Sequence, residues 1–146
     1  MARYDPEAAG ARCDICPLRE RREGGPVPPQ INPNARALLV GEAPGRVEVD
    51  LNVPFVGDSG QEVMKTLGTM SLTRGDVSFS NALLCRPPGN DLGQLTYNLS
   101  KENKARERAG LPRMPSPLSC CRPRLMREVR GFENVVALGK VSYQAI

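Results

Sequence analysis

Three short apolar runs interrupt an otherwise polar chain, at residues 37–40, 77–84 and 134–138. The first and third are rich in Val, Leu and Ala. The middle one alternates through Val77, Phe79 and Asn81 before turning apolar throughout. Each follows a turn-like or polar stretch and is followed within a few residues by Gly or Pro. Such runs read as buried strands of a parallel sheet. Between the first two, Val63, Met64, Leu67 and Met70 recur at helical spacing, with Asp58 or Ser59 as the capping residue. Between the last two, Leu125, Met126 and Val129 mark one face of a second helix. This alternation predicts a single α/β domain over residues 1–146, with three layers and a central, mainly parallel sheet. Ligands bind such sheets beyond the carboxyl ends of the strands. That rule points to residues 41–45, 81–88 and the stretch from Gly139 onward.

Two segments lack this patterning. Residues 1–34 form an N-terminal arm that ends in the Pro/Gly-rich string GGPVPPQINP, an extended loop leading to the first strand. Residues 89–119 form a polar, basic insertion. Within it, 98–109 reads as a short helix capped by Ser100 and ended by Gly110. That segment shows almost no apolar face, so it is expected to be exposed or disordered. The chain has no internal repeat.

Composition narrows the class. Apolar residues make up 40% and charged residues 25%, as in an ordinary globular protein. No apolar run is long enough for a transmembrane helix, and the N-terminus lacks the apolar centre of a secretory signal. The expected setting is therefore intracellular, the reducing cytoplasm. Charge is unevenly spread: residues 1–100 carry 10 Lys+Arg against 12 Asp+Glu, and residues 101–146 carry 10 against 4. A basic end suggests a polyanionic partner; a solvated charged face is the competing reading.

Histidine is absent, which excludes a histidine general base, a Ser-His dyad and histidine metal ligation. The five cysteines are Cys13, Cys16, Cys85, Cys120 and Cys121. Cys13 and Cys16 have the spacing of a clip for zinc or an iron–sulfur centre, with a redox pair or two structural thiols as alternatives. With Cys85 and the Cys120-Cys121 pair they make a possible four-cysteine set, where the alternative is buried thiols. After the first strand, Gly41, Pro44 and Gly45 fix a tight turn that leaves amides for a ligand, and Glu42 stands at its mouth to orient a water. The bland alternative is a plain turn. Phe55, in the loop PFVGDSG, offers a face for a nucleobase or anchors the loop in the core. Asn81 presents a donor and an acceptor together, as base recognition requires, or satisfies nearby backbone.

Six pieces now stand in order along the chain: C-x-x-C-PL, LLVGEAPG, PFVG-x-SG, SNALLCRPPGN, CRPRL and VVALG. Together they resemble the family 4 uracil-DNA glycosylases. The resemblance implies a uracil-DNA-glycosylase-like fold and removal of uracil from DNA by cleavage of the N-glycosidic bond. It implies a structural [4Fe-4S] cluster on Cys13, Cys16, Cys85 and Cys121, the last because the fourth ligand is followed by one residue and then Pro; Cys120 is the spare. It assigns Gly41, Phe55 and Asn81 to the uracil and Glu42, Ala43 and Glu48 to catalysis. DNA phosphates would meet Lys101, Lys104, Arg106, Arg108, Arg122 and Arg124, within a basic stretch that also holds Arg113, Arg127 and Arg130.

The chain departs from the family pattern in several places. Glu48 is followed by Val49 rather than Asp, Asn52 stands where a Gly is expected, and the stretch from Cys85 to Cys121 is long. The family carries a histidine in a second motif beyond the ALG strand, and this sequence has none. The expectations are a sheet incomplete at its C-terminal edge, a second protein chain that completes the site, or lost activity. The function the resemblance implies is uracil excision in base excision repair. The alternative is a catalytically silent iron–sulfur module that binds DNA or a replication or repair partner. A zinc protein of other function is a third reading.

Overall fold

The computed structural model describes residues 3–146. Strand β1 (Ala37–Gly41) is central, with β2 (Ser78–Asn81) on one side and β3 (Asn134–Ala137) on the other. Both neighbours run parallel to it, with Gly41 opposite Asn81 and Val40 opposite Ala137. The expected middle strand is thus shorter than 77–84. Beyond Asn81 the chain still leans on β1, because Ala82 donates to Gly41 O and Leu83 to Glu42 O. It then turns so that Leu83 and Leu84 bury themselves away from the ladder.

Period-two alternation along β1 separates two layers of core. Leu38 and Val40 pack with Ala82, Leu125 and Ala145, hence against α4 (Pro117–Val129) and α5 (Lys140–Ala145). Leu39 packs on the other face with Phe79, Val77 and Leu67 of α2 (Asp58–Thr69). Helices therefore cover both faces, as expected of a three-layer α/β arrangement. A short helix α1 (Arg46–Leu51) joins the β1 turn to the α2 loop.

The helix reading needs two corrections. The N-cap of α2 is Gly57, not Asp58 or Ser59, and no side chain caps it. The insertion helix α3 runs over Leu92–Arg108 with Asp91 as its cap, whose carboxylate accepts from Gln94 N at 2.8 Å. It therefore begins well before Ser100, which lies inside it. It is also not apolar-poor: Leu92, Leu95 and Leu99 make a buried stripe with Leu18, Leu83 and Cys121. The stripe lies mostly before residue 98, where the basic composition of the later turns hides it. Gly110 does follow the helix end, with φ +72°.

The Pro/Gly-rich loop does more than connect. Gln30 and Phe79 exchange both backbone hydrogen bonds, at 2.8 and 2.9 Å, and Val27 donates to Leu84 O at 2.8 Å. The loop therefore runs antiparallel beside β2 and covers that edge of the sheet. No helix among the described residues is long and apolar enough to cross a membrane.

Candidate active site

A cleft of about 290 Å³ opens at the carboxyl ends of β1 and β2. Its wall contains Gly41, Glu42, Ala43, Glu48, Phe55 and Asn81. All six cleft residues expected from sequence thus share one wall. They come from four segments that parallel strand geometry brings together: the end of β1, the end of β2, helix α1 and the loop before α2. Ser59, Gly60, Val63 and Leu138 complete the lining. Sequence reasoning gave Ser59 and Val63 to the helix and Leu138 to the third strand, which ends one residue earlier, at Ala137.

Contacts around Gly41 set the geometry. A Cβ at Gly41 would lie 2.5 Å from Asn81 Oδ1 and 2.8 Å from Phe55 Cζ. The amide and the ring therefore crowd together over a bare backbone. Asn81 is almost fully buried. Phe55 is half-buried and leans on Phe79, with ring centroids 5.2 Å apart. Its backbone has φ +56°, a left-handed conformation that is unfavourable for an aromatic residue. Gly60 makes this placement possible, since a Cβ there would stand 2.2 Å from the Phe55 carbonyl carbon.

The two carboxylates differ in setting. Glu42 is exposed at the mouth, whereas Glu48 is half-buried. A Cβ at Gly57, the N-cap of α2, would stand 2.9 Å from Glu48 Oε2. The start of α2 therefore faces a carboxylate, where the helix dipole favours negative charge.

Arg124 overturns one expectation. It is fully buried, so it cannot meet a DNA phosphate. Its guanidinium donates to Glu128 at 2.8 and 2.9 Å, to Ser80 Oγ at 3.0 Å, and to the carbonyls of Asn81 and Ala82 at 2.7 and 3.2 Å. It therefore fastens α4 to the end of β2 from beneath the cleft. Nothing in an Arg-Pro-Arg string marks one arginine as core.

A second pocket gathers all five cysteines, with Ala11, Leu18, Arg19 and Arg22. Cys13 and Cys16 come from the arm, Cys85 from beyond β2, and Cys120 and Cys121 from the first turns of α4. Arg12 N donates to Cys120 O at 2.8 Å, and Arg22 donates to Cys85 Sγ at 3.6 Å. Burial, with the neighbouring thiols, pushes Cys13 up to about 11. Burial also pushes Cys16 up to about 12. Among the described residues, no three or more His, Cys, Asp or Glu side chains are grouped closely enough to hold a single metal ion. The thiols surround a space rather than converge on a point.

A family model for the uracil DNA glycosylase superfamily matches residues 28–146. The chain belongs to the uracil DNA glycosylase superfamily. Similar proteins carry the name type-4 uracil-DNA glycosylase. That of Pyrobaculum aerophilum is 32% identical over 134 residues, 92% of this chain and 59% of its own length. That of Archaeoglobus fulgidus is 41% identical over 78 residues, 53% of this chain and 39% of its own. That of Thermotoga maritima is 37% identical over 79 residues, 54% of this chain and 41% of its own. The chain thus spans about half the length of the curated relatives it matches.

On this superfamily member, the remaining basic residues lie away from the cleft lining. Lys101, Lys104 and Arg108 are exposed on α3. Lys101 Nζ sits 5.4 Å from the Tyr97 ring centroid. Arg106 is half-buried and donates to Pro112 O at 2.7 Å, which closes the loop after α3. Arg122 is exposed and donates to Ala145 O at 3.1 Å. It shares an open groove with Arg127 and Arg130 along α4.

Proposed function

We propose that this chain removes uracil from DNA by hydrolysing the N-glycosidic bond of a flipped-out nucleotide. The observation that carries the reading is the convergence of Gly41, Glu42, Ala43, Glu48, Phe55 and Asn81 on one cleft at the strand ends. A base inside the duplex offers no access to its glycosidic bond, so the nucleotide must leave the stack. Phe55 presents its ring to the extruded uracil, and the Asn81 amide reads its polar edge with one donor and one acceptor. Bare Gly41 lets the base approach the backbone. Backbone amides of the turn around Ala43 face a uracil oxygen. As the bond between C1′ and N1 breaks, its electron pair passes to the uracil, and negative charge grows on N1 and that oxygen. Fixed dipoles there supply the main stabilisation. Glu42 or Glu48 orients the water that attacks C1′ and takes its proton.

The five-thiol pocket supports a [4Fe-4S] cluster on Cys13, Cys16, Cys85 and Cys121, with Cys120 in reserve. Two observations fit. The donors are soft thiols from three separate segments, the ligand type that iron–sulfur clusters use. The Tyr4 hydroxyl is a buried donor without a partner, within electrostatic reach of Glu128 and Arg124 and also of Cys121 and Cys13. When bound, the cluster supplies a structural tie between the arm, the β2 end and α4. Exposed Lys101, Lys104, Arg108 and Arg122, with Arg106, would contact phosphates, giving binding that weakens with salt.

The test is excision by the purified 146-residue chain on a labelled oligonucleotide with one uracil, followed by alkaline cleavage at the abasic site. Strand cleavage that a uracil-free control lacks is the expected result. No cleavage by folded, iron-loaded protein that still binds DNA would replace the proposal with the silent DNA-binding module.

A further inference from the structure

The strained backbone of Phe55 needs a restraint, and the structure supplies one outside the cleft. Arg74 opens a single 3-10 turn, Arg74–Asp76, after the α2 helix. Its backbone is fixed by a reciprocal cap: Thr73 N and Oγ1 both donate to Asp76 Oδ2, at 2.7 and 2.9 Å. From that base the guanidinium reaches across to the Phe55 loop. Nη1 donates to Phe55 O at 2.8 Å, and Nη2 donates to Pro54 O. Nε donates to Gln30 Oε1 at 2.7 Å, which ties the fork to the loop covering β2. The guanidinium carbon lies 4.6 Å from the Phe79 ring centroid, and Phe79 is the ring on which Phe55 leans.

Every edge of this guanidinium meets a neutral acceptor. Among the described residues it has no carboxylate partner within salt-bridge distance. It therefore works as a rigid fork rather than as a counter-ion, a job that a lysine cannot do. The carbonyls it grips bracket the residue with φ +56°. A left-handed aromatic persists only where its surroundings over-determine it. Here Gly60 admits the Phe55 carbonyl on one side, and Arg74 holds it on the other.

We propose that Arg74 is a positioning residue for Phe55: it locks the Pro54–Phe55 backbone so that the ring faces the cleft and can stack on the extruded uracil. This rests on the reading of the cleft as a uracil pocket. Among the cleft-lining residues Arg74 bonds only Phe55, at its carbonyl, so it acts through Phe55.

The experiment uses the full chain labelled with 4-fluorophenylalanine. Its three phenylalanines are Phe55, Phe79 and Phe132. A Phe55→Leu variant assigns the Phe55 resonance, and Phe132 reports on folding. In Arg74→Met and Arg74→Lys, the Phe55 resonance should shift and broaden while that of Phe132 stays in place. The inhibition constant for free uracil should rise about tenfold, a fair part of what one base–aromatic stack contributes. The rate of the cleavage step should fall less than binding does. Methylguanidinium at millimolar concentration should recover part of the uracil binding in Arg74→Ala but not in Arg74→Lys. An unaltered Phe55 resonance overturns the proposal, as does unchanged uracil inhibition despite a mobile ring. A wild-type chain that neither excises nor binds uracil sinks the reading of the cleft instead, and the wild-type measurement alone reveals that.

Discussion

Side-chain-free backbone at Gly41 is a condition of the cleft, because Asn81 Oδ1 and Phe55 Cζ occupy the space any Cβ would need. Gly41→Ala must push the amide or the ring aside. Misplacement of about 1 Å at a reacting centre costs about a hundredfold in rate. Gly41→Ala is therefore expected to lower uracil excision about a hundredfold while circular dichroism shows an intact fold. Activity within threefold of wild type would mean that these contacts do not set the geometry. Arg124 makes a different demand. Its charge is buried, with Nη1 and Nη2 held by Glu128, Ser80 and two carbonyls and Nε without a partner, so removing one member of the ion pair strands the other. Arg124→Met is expected to cost about 3–5 kcal/mol in denaturant unfolding, and adding Glu128→Gln should restore part of that loss. Equal loss in the single and double variants would show that the ion pair is not the main contribution.

Between elements, Glu23 is the main polar joint. Its carboxylate accepts from Arg86 Nε at 2.9 Å, Arg46 at 3.1 Å and Gly89 N at 2.5 Å. It thus links the arm, the start of α1 and the segment after β2. The Gly89 amide and Arg86 hold its carboxyl below the usual glutamate range. A depressed folded-state value means that this stabilisation is complete above the unfolded value and fades as pH falls through the folded one. Thermal midpoints recorded between about pH 6 and pH 3 should fall less steeply for Glu23→Gln than for wild type. Identical slopes would remove Glu23 from the account. The same scale shows what the sequence made legible. The strands were readable because short apolar runs between turn residues have few alternatives, and part of the cleft because Gly41, Glu42, Ala43 and Asn81 sit at strand ends. Glu48 and Phe55 lie on a helix and in a loop and were settled only by the family motifs. Helix α3 was misjudged because Leu92, Leu95 and Leu99 precede the basic residues that dominate its composition. Arg124 and Arg74 were illegible for a common reason: a guanidinium serving backbone carbonyls has no spacing signature, and its partners lie 42 or more and 19 or more residues away.

At the scale of the whole molecule, the thiol pocket lies where three parts of the chain meet: the arm, the segment after β2 and α4. The arm contributes Cys13 and Cys16, but its described residues form turns rather than regular helix or strand. Near the thiols it is anchored by Leu18 and by Arg12 N donating to Cys120 O, and further along by Glu23 and by the pairing of Gln30 with Phe79. Metal affinity gained by bringing these segments together is folding free energy. The two candidate fourth ligands are not equivalent. Cys121 is followed by one residue and then Pro123, the spacing the family resemblance gives to the fourth ligand, whereas Cys120 is not. Cys121 also packs with Leu18 and Leu83 in the core that joins the arm to α3. Cys121→Ser should therefore lose most of the bound iron, lower the thermal midpoint and make the arm an early target of limited proteolysis. Cys120→Ser should keep the iron and the protease resistance of wild type. Iron content, visible absorbance of the thiolate-ligated centre and protease fragments measure these three consequences separately. Equal iron loss in both variants would reject Cys121 as the particular ligand. Full iron with a loosened arm in Cys121→Ser would assign that residue to packing, because the core contact would then matter without the metal.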